Sequence, residues 1–234
     1  MNLVCLLALL LSSIHSTLAD SAVECPQWAE QGECTLNPNY MGEHCPDACR
    51  MQAEKDREIA MEIEKKIGHI TSFFELEAQD IDEKLLKFDQ FKGGVTVVAN
   101  VASYCGYTES HYRGLNELYE TFKGSSVPLS ILAFPCNQFG EQEPETCPKI
   151  KEFAKAKGVQ FTMMNKVDVN GPDAHPVYLF MKKVAGPPRI RWNFGTYFVV
   201  TQDGTVASFS GVEPMELVPA IQQAMGIRET TNEF

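Results

Sequence analysis

The chain has 234 residues, with 20 Lys+Arg against 31 Asp+Glu, a formal net charge of −11. That acidity excludes a nucleic-acid binder, which needs a concentrated basic face to release counterions. With 44% hydrophobic and 22% charged residues the chain is also not a disordered one. A main domain with a small attachment is expected.

The first 19 residues, MNLVCLLALLLSSIHSTLA, contain no Lys, Arg, Asp or Glu and end in small residues. This is the pattern of a secretory signal peptide over residues 1–19, although the opening lacks the usual basic residue. A retained anchor is the alternative reading, and the run is short for a bilayer span. No later stretch approaches ~18 apolar residues, so no integral membrane segment is expected after cleavage. Of the 8 cysteines, removal of Cys5 leaves an odd number, hence at least one outside intramolecular disulfides. The chain has no Asn-x-Ser/Thr sequon, and no N-glycan is expected.

Residues 20–50 hold Cys25, Cys34, Cys45 and Cys49 among Pro, Gly and Asn. So short a segment cannot build a core by burial and must be stapled, with two disulfides in any of three pairings. The stretch WAEQGEC, the stretch NPNYM and the spacing from Cys34 through Cys45 to Cys49 resemble an ShK toxin-type module lacking its first and sixth cysteines. The resemblance implies the pairs Cys25–Cys45 and Cys34–Cys49. The Lys-Tyr pair of the channel-blocking members falls on Asn39 and Tyr40. Without that lysine, in so acidic a segment, a docking or spacer role is expected instead of channel blockade.

Residues 51–68 place Ile59, Ile63 and Ile67 at i, i+4, i+8 among charges of both signs, which predicts a solvated connector helix. From about residue 69 to 226, strand and helix patterns alternate. GGVTVVANVAS and LSILAFP read as buried strands, and HYRGLNELYETFK as a helix with Tyr112, Leu115, Leu118, Tyr119 and Phe122 on one face. CPKIKEFAKAKG reads as a helix, VQFTMMNKVDV as an extended run and HPVYLFMKKV as a helix. YFVVTQDGTVASFSG predicts a hairpin turning at Asp203-Gly204, and PMELVPAIQQAMG a closing helix disturbed early by Pro219, before a tail over 227–234. The pattern predicts an α/β fold with a mixed sheet flanked by helices.

Cys105 falls where the strand VTVVANVAS ends and a helix is about to begin. Ligand sites lie outside the carboxyl ends of strands, and unpaired N–H groups at a helix start favour a thiolate. Cys105-Gly106-Tyr107-Thr108 is a C-x-x-C arrangement with threonine in the second place, able to attack a peroxide but not to close the short disulfide. A buried structural cysteine is the alternative.

The motifs NVASYCGYT, LAFPCNQFGEQEP, KVDVNGPDAHPVY and RWNFGTYFV, in this order over residues 69–226, resemble a glutathione peroxidase of the cysteine-containing, non-selenium kind. The resemblance implies a thioredoxin fold and a catalytic set of Cys105, Gln138, Trp192 and Asn193. The chemistry agrees: attack on a peroxide needs a thiolate, a proton for the departing alkoxide, and neutral donors that stabilise sulfur without suppressing its nucleophilicity. Core packing is the alternative for Trp192, and His175 in AHP reads as turn chemistry opening a helix.

The sulfenic acid formed at Cys105 must be reduced. The resolving cysteine that thioredoxin-dependent members carry along the helix after QEP is missing, which leaves Cys147 and Cys136 as candidates. No metal and no bound cofactor are expected. The co-substrates are a hydroperoxide and a reductant: glutathione, thioredoxin or protein disulfide isomerase. The short connection KKVAGPPRIR implies a monomer open to bulky lipid peroxides. The leading expectation is a secreted thiol peroxidase in oxidative-stress defence. A relay in the endoplasmic reticulum lumen that oxidises protein disulfide isomerase is the second reading, and a secreted non-enzymatic binding protein the third.

Overall fold

The computed structural model describes residues 24–227. The expected signal peptide and most of the expected tail lie outside the described residues. The chain forms two compact units, divided between Glu62 and Ile63.

In the first unit, a helix whose described part covers residues 24–30 (α1) is followed by α2 (Glu33–Leu36), α3 (Pro38–His44) and the start of α4 (Pro46–Ile67). The disulfides are Cys25–Cys45 and Cys34–Cys49, with Cα separations of 5.5 and 5.7 Å. Apart from these bridges the unit buries little: Ala29 and Met41 close on Cys45, with Trp28 and Cys34 against them. Cross-linking therefore supplies what so small a core cannot. The helix expected over 51–68 begins earlier, at Pro46, because Pro at the first helical position needs no hydrogen-bond acceptor and fixes a helical φ. It thus takes Cys49 of the stapled segment into its first turns.

The second unit is built on a five-stranded sheet of order β5-β4-β3-β6-β7: β3 (Val95–Val101), β4 (Leu129–Pro135), β5 (Thr162–Met163), β6 (Thr196–Val200) and β7 (Val206–Ser210). Strands β3, β4 and β5 run parallel, and β6 and β7 antiparallel, which is the arrangement of a thioredoxin fold. A hairpin that the sequence did not announce, β1 (Glu77–Gln79) with β2 (Leu85–Lys87), precedes it. Helices α5 (Thr108–Phe122), α6 (Cys147–Ala156), α7 (Pro176–Val184) and α8 (Val218–Met225) complete the unit.

All of β3 is buried, as a strand covered on both faces must be. The period of two sends Val95, Val97, Ala99 and Val101 into a core with Tyr112 and Leu115 of α5 and Ile221 of α8. Val98 goes to the opposite core, with Phe134, Phe198 and Tyr178 of α7. The expected third extended run yields only the two residues of β5 and a bridge from Met164 to Asp80. The Asp203-Gly204 turn joins β6 to β7 as predicted, with Gly204 at φ 91°, a conformation glycine adopts without strain. The closing segment starts as a 3-10 turn, Pro214–Leu217, and becomes α-helical from Val218.

Candidate active site

Cys105 lies in the turn between the end of β3 and the first residue of α5. The thiol is free and 7% exposed, while Tyr104, Gly106 and Tyr107 on either side are exposed. It is therefore neither locked in a bridge nor remote from the surface. Thr108, the residue in the second place of the C-x-x-T pattern, holds the turn: its Oγ1 accepts from the Cys105 N–H at 3.1 Å and donates to the Ala102 carbonyl at 2.6 Å.

A second clamp comes from the loop after β4. Glu143 is fully buried, and its Oε2 accepts from the Ser103 N–H at 2.7 Å and the Ser103 hydroxyl at 2.9 Å. Burial pushes this carboxyl above the usual range, opposed by the two Ser103 bonds. The Tyr104 N–H donates to the Gln142 carbonyl, and the Glu143 N–H to Asn137 Oδ1. Gln142 and Glu143 are thus tied to Tyr104 and Ser103, the two residues that lead to Cys105.

The third wall is the Trp192–Gly195 turn, pinned by Asn100 of β3. Asn100 Nδ2 donates to the Trp192 carbonyl and to Asn193 Oδ1, both at 3.2 Å, and the Asn100 carbonyl accepts the Phe194 N–H at 2.9 Å. Asn193 is buried, and its Nδ2 donates to Gln142 Oε1 at 3.3 Å. Trp192 is not core: it is 40% exposed, with its ring against Phe139 at 5.9 Å.

One expected site residue is displaced. Gln138 is spent on structure: its Oε1 accepts from the Val169 and Asn170 N–H groups at 2.9 Å each, and its Nε2 donates to the Asn170 carbonyl. The glutamine beside Asn193 is Gln142, four residues on. Gly140 and Glu141 stand at φ 61° and 51°, and this left-handed turn brings residue 142 back toward Trp192. Gly140 itself faces the Trp192 ring and Gln142, where a Cβ would come within 3.6 Å of both.

The remaining thiols separate. Cys136 is fully buried in the core opposite to that of Cys105, and burial pushes its thiol up to about 11. A sulfur on the far side of the sheet and so reluctant to ionise is unsuited to resolve Cys105. Cys147, at the start of α6, is partly exposed, and its thiol donates to Asn165 Oδ1 at 2.7 Å. His175 caps α7, its Nδ1 accepting from the Val177 N–H, and burial with the nearby Lys66 charge pulls it down to about 4. It is structural, as the turn reading expected.

Asn100, Gln142 and Glu143 are not marked by the sequence as site residues, although all three stand inside the motifs NVASYCGYT and LAFPCNQFGEQEP, and Thr108 is marked there only as the replacement of a second cysteine. Nor does the sequence mark His111, 5% exposed, whose Nδ1 lies 2.5 Å from the Tyr197 hydroxyl. His111, Trp192 and Asn193 line one cleft of about 390 Å³. A larger cleft of about 620 Å³ beneath the β6–β7 hairpin contains none of the site residues. Among the described residues, no group of three or more His, Cys, Asp or Glu could hold a metal ion, and no helix is long and apolar enough to cross a membrane.

A free thiol at the strand-to-helix junction of a thioredoxin fold, on a turn hydrogen-bonded to the loop that carries Gln142, is the arrangement a thiol-based oxidoreductase requires. The chain belongs to the glutathione peroxidase family: residues 73–182 match the family model "Glutathione peroxidase". "Glutathione peroxidase-like peroxiredoxin 2" of Saccharomyces cerevisiae is 41% identical over 161 residues, 66% of this chain and 98% of the relative. "Phospholipid hydroperoxide glutathione peroxidase" of Macaca fuscata fuscata is 44% identical over 150 residues, 62% of this chain and 74% of the relative. Among solved structures, "Trgpx in apo form" superposes with TM-score 0.56 at 34% identity, covering 67% of this chain and 97% of that one. Residues 17–51 match "ShK domain-like". The protein is thus a peroxidase-type oxidoreductase preceded by an ShK-like module with two disulfides.

Proposed function

We propose that the protein reduces hydrogen peroxide and organic or lipid hydroperoxides through Cys105, in an extracytoplasmic compartment and in defence against oxidative stress. The observation that carries this reading is the free Cys105 thiol at the strand-to-helix junction, on a turn tied through the Tyr104 N–H to Gln142, whose side chain accepts from Asn193. The Cys105 thiolate attacks the peroxide in line, forming the S–O bond of a sulfenic acid as the O–O bond breaks, and the departing alkoxide takes up a proton to leave as an alcohol. The Asn193 amide, oriented by Asn100 and Gln142, and the Trp192 indole are uncharged donors that stabilise sulfur and oxygen anions without draining the thiolate of reactivity.

The disulfide-stapled module supports a secretory route, since such bridges persist in oxidising compartments. Glutathione or a dithiol protein would return Cys105 to the thiol. In a relay version, Cys147 is better suited than Cys136 to accept the oxidation. The test is peroxide consumption with Cys105→Ser, expected to fall by about a thousandfold or more. Unchanged consumption would end the reading.

A further inference from the structure

The cleft beside Trp192 has a chemistry that the peroxide step does not use. Its walls are aromatic: Tyr107 and Trp192, 55% and 40% exposed, and buried Phe194. Its rim carries two carboxylates, Glu213 and Glu216, held as a unit by the Glu213 N–H donating to Glu216 Oε2 at 2.7 Å. No lysine or arginine lines it, and among the described residues neither carboxylate is paired with one. Besides Asn193, the buried polar side chain that lines the cleft is His111. Its Nδ1 is taken by the Tyr197 hydroxyl, and Nε2 has only Glu213 Oε1 at 3.5 Å, long for a hydrogen bond. Burial holds this imidazole below its ordinary range, so it does not neutralise the pair at neutral pH, and Tyr197, pushed up by burial, keeps its proton.

Two unneutralised carboxylates beside two exposed aromatic faces favour a cation, which gains ion pairing and cation–π contact together. They disfavour an anion in the same place. A hydroperoxide supplies no cation here, and a fatty-acid carboxylate would be repelled. Glutathione, with two carboxylates to one ammonium, gains less there than a thiol of net positive charge.

We propose that this cleft seats the reductant of the peroxidase cycle, and that it selects a thiol whose non-reacting part bears an ammonium or guanidinium group. The inference rests on the peroxidase reading above. The bound thiol R–SH attacks the Cys105 sulfenic acid, the new S–S bond replaces S–OH, and the hydroxyl leaves as water with the thiol proton. A second thiol R′–SH then attacks the R sulfur, giving R–S–S–R′ and returning Cys105 as the thiol. Glu213 and Glu216 hold the cation, and Tyr107 and Trp192 flank it.

The experiment oxidises the full chain with one equivalent of hydrogen peroxide and follows reduction of Cys105 by three thiols: cysteamine, 2-mercaptoethanol and 3-mercaptopropionate. Rates are compared per thiolate, at low and high salt. The cationic thiol is expected to exceed the anionic one by about tenfold at low salt, and the ratio to shrink with salt. Glu213→Gln with Glu216→Gln should bring the ratio near one, and Glu213→Lys with Glu216→Lys should invert it. Dithiol peptides flanked by lysine or by glutamate repeat the comparison for a protein reductant. A ratio unmoved by both double variants, or an anionic thiol that is fastest on the wild type, overturns the inference. If wild-type Cys105 does not form a sulfenic acid at all, the peroxidase reading fails instead.

Discussion

The two units use cysteine in opposite ways. In the ShK-like module Cys25, Cys34, Cys45 and Cys49 are bonded in pairs, and the apolar core is little more than Ala29 and Met41. In the peroxidase unit Cys105, Cys136 and Cys147 are all free, and a sheet covered on both faces supplies the core. Where burial is ample, sulfur is released for chemistry or left as an inert apolar group. Where burial is scarce, sulfur is the framework. The same residue type in one chain is thus assigned its role by how much apolar surface surrounds it.

The sharpest way to break this contrast is to reduce the bridges without denaturant. Loss of a native disulfide from a small domain costs about 2–5 kcal/mol, more than so small a core can replace. Hydrogen exchange and limited proteolysis should then show residues 24–50 opening while the melting of the peroxidase unit is unchanged. Co-operative melting of both would show that the units depend on each other.

A smaller effect is expected where the peroxidase unit uses a buried amide as its framework. Asn100→Ala removes the bonds to the Trp192 carbonyl and Asn193 Oδ1. Unmet buried polar groups cost about 1–3 kcal/mol, and loosening of the Trp192–Asn193 turn should lower peroxidase kcat/KM by about 10–100-fold. A loss of stability with full activity would show that the turn is held by other contacts.

The mildest prediction concerns acid. His175 has a folded pKa of about 4 against an ordinary 6.5, so the unfolded chain takes up the proton first. Its contribution is present above pH 6.5, is lost as pH falls toward about 4, and changes little below that. With partial exposure the loss is on the order of 2 kcal/mol. Chemical denaturation of His175→Gln across this window should show a flatter pH dependence than the wild type, while the two bridges of the stapled module do not titrate.

Much of the fold was legible because its signals are local. The β-branched runs of β3 and β4, the single apolar face of α5 and the Asp203-Gly204 turn each report on a period or a dihedral angle that a few residues impose. The hairpin of β1 and β2 was not, since three-residue strands with one buried position carry too little pattern. The site divides in the same manner. Cys105 could be found at the end of a buried strand, but the choice between Gln138 and Gln142 could not be made along the chain. Both are glutamines in one loop, and only the left-handed turn at Gly140 and Glu141, with Val169 and Asn170 taking up Gln138, decides which faces Asn193.

The sequence by itself therefore determined that a cysteine ends the central buried strand, the mixed α/β architecture and the need for two bridges in the opening segment. These follow from hydrophobic period, residue type and the length of chain available to form a core. Tertiary structure decided which glutamine joins the site, that Cys136 is shut away behind the sheet, and that His111, Glu213 and Trp192 share a cleft. Those assignments depend on contacts between residues 31 to 102 positions apart, which form when loops close over the ends of the strands and which no local pattern records.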